Sequence, residues 1–435
     1  MSTTAPPVRH AQTRITLLVA LAVFAQESTW NFYDAQVPPL LREHITSAAL
    51  VGFLMGMDNL LGVFVQPWLG NRSDGTRTSW GRRMPYLVVG MPVAALLFLV
   101  IPHAAGSLPL LVGVMFCYAL VANAFKPIAE SLVPDFVAPE KRSRANAAVK
   151  IASSLTVIVA ALISLLVVDE HPALAFAIPS ALMLVSIVVL GLTVRDSRSP
   201  GYQAALAEDA ADAAGAAQDG RDAADAAPAR PGVRRIVLDI VRDPDRSRLL
   251  MMVAILLFGS AWSASRALAT PYGMEALGLS RGDAGGLLLP SGVAFLLAAY
   301  PTALLAERIG RLRTMMIGMS LFAAAMALGT VAQTPAGTVV AFCVGAAGAA
   351  AFLVNAVVVL WNLAPSARVM GTYAGLYAVG WAGGGFVGPA LVGGMVDLTG
   401  WTLMLVDVAV VAVLGVLAVA RVEALQRRAA TTKAV

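Results

Sequence analysis

The feature that leaves this chain the fewest choices is a succession of long apolar runs joined by short polar segments. A helix needs about 20 apolar residues to cross the hydrocarbon core of a bilayer. Runs of that length fall near 15–41, 48–70, 84–103, 107–131, 145–168, 172–194, 249–272, 283–306, 314–333, 336–362, 369–396 and 400–420. Composition agrees: 58% of the 435 residues are hydrophobic and only 13% charged, whereas a soluble domain carries about a quarter charged residues. The expected fold class is an all-α membrane protein of twelve transmembrane helices. Met1–Gln12 is polar, and the run that follows is too long for a signal peptide and lacks a small-residue cleavage site, so no cleaved leader is expected.

Charge sets the orientation. With the N-terminus inside, 27 of the 31 Lys and Arg residues fall in or beside cytoplasmic segments, the asymmetry of an inner-membrane protein with both termini cytoplasmic. The net charge of +5 is accounted for in this way, without nucleic acid. Cys117 and Cys343 stand alone inside apolar runs and read as small helix residues. No cofactor or metal is expected, and a monomer is the expected state. The predicted organisation is an N-terminal six-helix bundle over 1–194, a cytoplasmic linker over 195–248, a C-terminal bundle over 249–421 and a tail over 422–435. The Ala/Asp/Gly tract 204–230 reads as flexible, with a loose surface helix as the alternative because Ala favours helix.

The halves repeat. Trp30, Asp34 and Pro39 of span one recur as Trp262, Arg266 and Pro271 of span seven, each shifted by 232. Asp74, Gly81 and Arg82 after span two correspond to Glu307, Gly310 and Arg311 after span eight, and Cys117, Pro139 and Arg142 to Cys343, Pro365 and Arg368, shifted by 226. Such a duplication predicts two pseudo-symmetric six-helix bundles rocking about a central cavity.

These motifs carry a resemblance over essentially the whole chain. Gly70-Asn71-Arg72-Ser73-Asp74 followed by Gly81-Arg82-Arg83-Met84-Pro85 resembles the signature loop of the major facilitator superfamily. Val65-Gln66-Pro67-x-x-Gly70-x-x-Ser73-Asp74 with Trp80-Gly81-Arg82-Arg83-x-Pro85 is similar to the sucrose-transporter branch of the glycoside–pentoside–hexuronide:cation symporters, as are Lys126-Pro127, Pro134-Asp135 and Arg142-Ser143-x-Ala145-Asn146. The resemblance implies the facilitator fold and sugar symport. The chain departs from the group at two places. Gln66 stands where the melibiose-permease branch has acidic residues low on span two. Tyr118 and Ala119 stand near the acidic residue of plant sucrose carriers in span four.

Ionisable groups at bilayer depth cost about 3 kcal/mol or more, so each needs a reason. Glu27, Asn31 and Asp34 form a stripe on span one, Asp58 lies mid-depth in span two, Lys126 and Glu130 lie in span four, Arg266 in span seven and Asp407 in span twelve. Asp34 and Arg266, at equivalent depths, are expected to pair as an outer gate, or as a static fold-stabilising pair. Asp74, Arg82, Arg83, Lys126, Glu307 and Arg311 are the expected inner gate. Lys126 has two plainer readings, a pair with Glu130 four residues on or snorkelling. Glu27 and Asp58, without obvious local partners, are the candidates for proton coupling; the alternative is that they only accept hydrogen bonds. Trp30, Trp262 and Trp381 offer faces for sugar rings, with Asn31, Ser263, Arg266 and Asn355 to bond hydroxyls, or else they pack the helices.

The expected function is proton-coupled import of a small-molecule substrate, a disaccharide-like sugar, by alternating access. A drug or metabolite antiporter is the alternative within transporters, and a receptor or scaffold outside them. No HExxH, GxSxG or paired intramembrane aspartates speak for an enzyme.

Overall fold

In hydrocarbon every unpaired backbone N–H or C=O costs several kcal/mol, so a spanning chain closes its hydrogen bonds within helices or closed barrels. A computed structural model of the protein describes residues 8–137, 142–219, 242, 245–363 and 370–434, and the described residues are helical with short turns and no strand. The first half comprises α1 (Val8–Arg42), α2 (Ala48–Asp74), α3 (Met84–Ala104), α4 (Leu108–Phe136), α5 (Arg142–Ile163, continued by a π-helical turn Ser164–Val168) and α6 (Pro172–Thr193). After α7 (Pro200–Asp219), the second half comprises α8 (Ser247–Ala267), α9 (Ala269–Leu277), α10 (Arg281–Gly286), α11 (Leu289–Ile309), α12 (Arg311–Ala332), α13 (Pro335–Asn362), α14 (Met370–Thr399) and α15 (Met404–Ala434).

Ten spans among the described residues are long and apolar enough to cross a membrane. The other two of the expected twelve are α1 and α5, which pack against each other. α1 carries the polar stripe Glu27, Asn31 and Asp34, and α5 with its π-helical turn includes the apolar helix Leu155–Val168.

Each half has its own apolar core. One contains buried residues from Val19 to Val194, the other residues from Met251 to Val422 together with Ala48. The halves meet where α2 packs along α14 and α5 along α11. The glycines of α14 permit close approach: a Cβ at Gly393 would overlap the backbone of Ala48, and one at Gly388 the backbone of Ser260 on α8.

The structure redraws three expected boundaries. Span seven breaks after Ala267, because Pro271 has no N–H to offer the Ala267 carbonyl; its repeat partner Pro39 lies inside the unbroken α1. The first part of the expected flexible linker is ordered. Asp196 is fully buried, and α7 docks through Tyr202, whose hydroxyl donates to the Thr78 carbonyl at 3.2 Å. An Arg77–Asp209 ion pair at 2.8 Å ties its middle, so over 200–219 the helical alternative holds; residues 220–230 of the tract lie outside the described residues. The expected tail at 422–435 begins inside α15, with Val422 buried and Glu423 bonded to Arg313. Pro139, Pro365 and Arg368 of the repeat also lie outside the described residues.

Candidate substrate and gating site

Midway along the bundle a cavity of about 250 Å³ opens between the halves. α1 supplies Glu27 and Asn31, one helical turn apart on one face. α5 supplies Ser153 and Val157, α8 supplies Trp262 and Arg266, α11 supplies Ser291 and Phe295, and α13 supplies Leu353. The Arg266 guanidinium donates to Asn31 Oδ1 at 3.2 Å and lies 5.4 Å from the centre of the Trp262 ring. The Asn31 amide donates in turn to Thr156 Oγ1 at 2.8 Å. Glu27 pairs with Lys126 of α4 at 2.9 Å, and the ammonium also sits 5.8 Å from the Trp30 ring.

Four of the expected site residues therefore converge: Glu27, Asn31, Trp262 and Arg266. Trp30 stands beside them, tilted against Tyr118 at 5.8 Å and stacked near Tyr33. Ser263, Asn355 and Trp381 do not line the cavity. Asn355 is buried and donates to the Ala351 carbonyl, and Trp381 stacks on Tyr377.

The charges pair differently from the expectation. Lys126 binds neither Glu130 nor an inner gate, because the packing of α4 on α1 brings Glu27 within reach. Glu27 thus has the partner that its own helix could not offer. The Asp34–Arg266 ion pair is not formed; Arg266 takes Asn31 instead, while Asp34 has neither a hydrogen bond nor an ion pair among the described residues and feels Arg266, Glu27 and Lys126 at longer range. Asp58 is buried, and Asn59 donates to it at 2.8 Å. Asp407 accepts from Thr399 at 2.7 Å.

One end of the cavity is closed by bonds between the halves. Asp397 of α14 accepts from Ser47 Oγ (2.7 Å), Ala48 N–H (2.6 Å) and Ala49 N–H (3.1 Å), capping the N-terminus of α2. Asp169, beyond α5, accepts from Ser280 Oγ (2.5 Å) and Gly282 N–H (2.8 Å) at the start of α10. Arg42 pairs with Glu275 at 2.7 Å and covers Trp401, and Arg281 donates to the Gln36 side chain and carbonyl at 2.7 and 2.8 Å. Ser47 and Ser280 are both N-caps, 233 apart, and Asp169 and Asp397 are 228 apart. The two latches are thus repeat equivalents. Comparing the halves for serine–aspartate pairs at this offset finds them in the sequence, but charge at bilayer depth, the signal followed there, passes over residues at helix ends.

At the opposite end the loop after α2 bonds within its own half. Arg82 grips Asp135 of α4 with two bonds (2.5 and 3.1 Å), and Arg83 bonds Asp135 at 3.0 Å, Asp74 at 2.5 Å and Ser73. The hydrogen bonds to Asp135 raise the Arg82 guanidinium above its ordinary range. Asp74, one of the expected inner-gate residues, thus takes Arg83 of its own loop. Buried Asp196 accepts from the Arg83 N–H at 2.6 Å and seats the Gly81 turn, where φ is +103°. In the second half, the Glu307 and Arg311 side chains are exposed and have no hydrogen bond or ion pair among the described residues; the neighbouring Arg313 bonds Glu423 at 2.9 Å. Asp135→Asn should cost about 3 kcal/mol, since it leaves the Arg82 guanidinium without a carboxylate and takes one of two from Arg83. Thermal unfolding of purified protein would show it, and an unchanged midpoint would mean water serves both arginines.

The Major Facilitator Superfamily model matches residues 19–299 and 251–434. The chain belongs to the major facilitator superfamily and is a membrane transporter of that fold. Among curated proteins it is similar to a sucrose transport protein of Arabidopsis thaliana, 30% identical over 100 residues, which are 23% of this chain and 20% of that one. It is also similar to a human membrane-associated transporter protein, 31% identical over 83 residues, 19% of this chain and 15% of that one. The matched segments thus span a fifth or less of these relatives. Solved structures share the fold at 14% identity. A nucleoside transporter has a TM-score of 0.72 (94% of this chain, 99% of that chain). A bacterial homologue of the lysosomal transporter Spinster, inward-facing and unoccupied, has 0.71 (96% and 97%), and a peptide transporter 0.70 (95% and 95%).

Proposed function

We propose that this transporter carries a small sugar or glycoside together with a proton, and that the closed end faces outward, both termini being in the cytoplasm of an inner-membrane protein. The observation that carries the reading is the central cavity. It joins an indole face to a carboxylate, an amide and a guanidinium, which are groups that stack on a sugar ring and bond its hydroxyls. At about 250 Å³ it falls below the usual range for drug-sized ligands, roughly 300–1,000 Å³, which favours a compact polar solute over an exported drug. The sucrose-carrier similarity supports the same class.

Charge balance supports the proton. Glu27, Asp34 and Asp58 lie within electrostatic reach of one another and of two cations, Lys126 and Arg266, so full ionisation of this cluster leaves one surplus negative charge where charge is costly. One proton removes it. Glu27 is held by Lys126, so the proton is assigned to Asp34 or Asp58, and Glu27 becomes a substrate ligand.

The test uses purified protein in liposomes loaded with a pH-sensitive dye, with sucrose, maltose, other glycosides and monosaccharides added in turn. The expected result is sugar-dependent internal acidification, lost in Asp58→Asn or Asp34→Asn. No acidification with any sugar, from protein that remains folded, would overturn the reading.

A further inference from the structure

On the outer surface of the first half, α3 and α6 diverge around a groove of about 440 Å³, separate from the central cavity. Its floor is apolar: Met84, Val88 and Pro92 follow one another at four-residue spacing along α3, facing Val188, Gly191 and Leu192 of α6. A Cβ added at Gly191 meets nothing within 4 Å, so the floor is open there. Leu192 is 73% exposed. Nine residues of helix give the floor a length of about 12 Å, at 1.5 Å per residue.

The mouth of the groove is different. Ser79, Trp80, Arg195 and Ser197 surround it. Trp80 is 59% exposed, as suits an indole at a membrane interface. Arg195 is exposed, and its side chain has no hydrogen bond or ion pair among the described residues; the same holds for Arg198, one turn on. The one carboxylate between them, Asp196, is fully buried and bonded to the Arg83 N–H and Ser199, and it forms no ion pair with either. A cationic, hydroxyl-lined mouth on an apolar trough in a membrane helix pair fits one class of ligand, a molecule with an anionic head and an acyl tail.

We propose that this groove is a binding site for an anionic phospholipid, with its phosphate at Arg195 between the Ser79 and Ser197 hydroxyls and an acyl chain along α3 and α6. The site abuts the signature loop on both sides. Trp80 belongs to that loop, and Asp196, between Arg195 and Ser197, holds Arg83. Bound lipid therefore stiffens the turn that carries Arg82 and Arg83.

Brominated lipids quench a nearby indole, and subtracting Trp80→Phe from the parent isolates the Trp80 signal. In detergent titrations, brominated phosphatidylglycerol should quench that signal at lower concentration than brominated phosphatidylcholine. The preference should be roughly fivefold, the effect of one basic side chain at an anionic surface. Arg195→Gln should bring the two curves together, while Arg195→Lys should retain most of the difference. Soluble glycerol phosphate, lacking the tail, should leave the preference intact; displacement by it would mean a simple anion site. Equal quenching by both lipids, or a preference that survives Arg195→Gln, would overturn the proposal.

Discussion

Lys126→Gln is expected to abolish transport and to destabilise the folded protein by about 3 kcal/mol, the low end for breaking a buried ion pair. The physical reason is the charge count of the bundle interior. Removing the ammonium takes from Glu27 its 2.9 Å partner and from the Trp30 ring its cation, and three carboxylates then share one cation. The side chains are 29% and 16% exposed, so water recovers part of the cost. Glu27→Gln combined with Lys126→Gln should regain most of the stability, since two amides bond each other without charge, but not transport, since the carboxylate that would hold the substrate is gone. Thermal unfolding and liposome uptake measured together separate the two effects. A single variant as stable as the parent would show that the pair contributes nothing; recovery of uptake in the double variant would remove Glu27 from the substrate site.

The second large effect is expected at the closed end. Asp169→Asn combined with Asp397→Asn should shift the population toward the state open at that end. Each carboxylate receives two or three hydrogen bonds from the facing half, and hydrogen bonds to charged groups contribute about 1.5–3 kcal/mol. Because Asn keeps one acceptor, about 1.5 kcal/mol per latch is the reasonable loss. The latches lie on different helix pairs, so the losses should add, giving a shift of roughly a hundredfold. Spin labels at Gly106 and Ala336, both exposed at that end on opposite halves, would report it in a background with Cys117 and Cys343 replaced. The single variants should shift by similar amounts, as repeat equivalents do. A distance distribution unchanged in the double variant would mean that the α2–α14 contact holds the end shut by itself.

The outer gate shows how far residue spacing reaches. Asp34 and Arg266 are equivalent in the repeat, and equivalence in depth suggested a pair. Depth, however, does not specify the rotation of a helix about its axis, and Arg266 faces Asn31. The latches that do close this end are helix caps, made of a carboxylate on one half and backbone N–H groups on the other. Backbone donors leave no mark in a side-chain pattern; only Ser47 and Ser280 hint at them. Asp196 likewise accepts from backbone N–H groups, while Asp135 takes the Arg82 and Arg83 guanidinium groups; they seat the signature loop from the turn after α6 and from α4, each far from it in sequence.

By itself, the sequence determined the solvent and the architecture. Long apolar runs require helices that satisfy their own backbone, and the 232-residue offset requires two similar halves. It also marked Glu27, Asn31, Trp262 and Arg266 as residues of one site, because polar groups in a membrane helix must face protein or a cavity. The tertiary structure alone decided which charge meets which: Lys126 with Glu27, Arg266 with Asn31, Arg313 with Glu423. It alone decided that α8 breaks before Pro271 while α1 runs through Pro39. Helix formation is local, set by a few neighbouring residues and the solvent, whereas partner choice depends on how helices distant in sequence rotate and pack against one another.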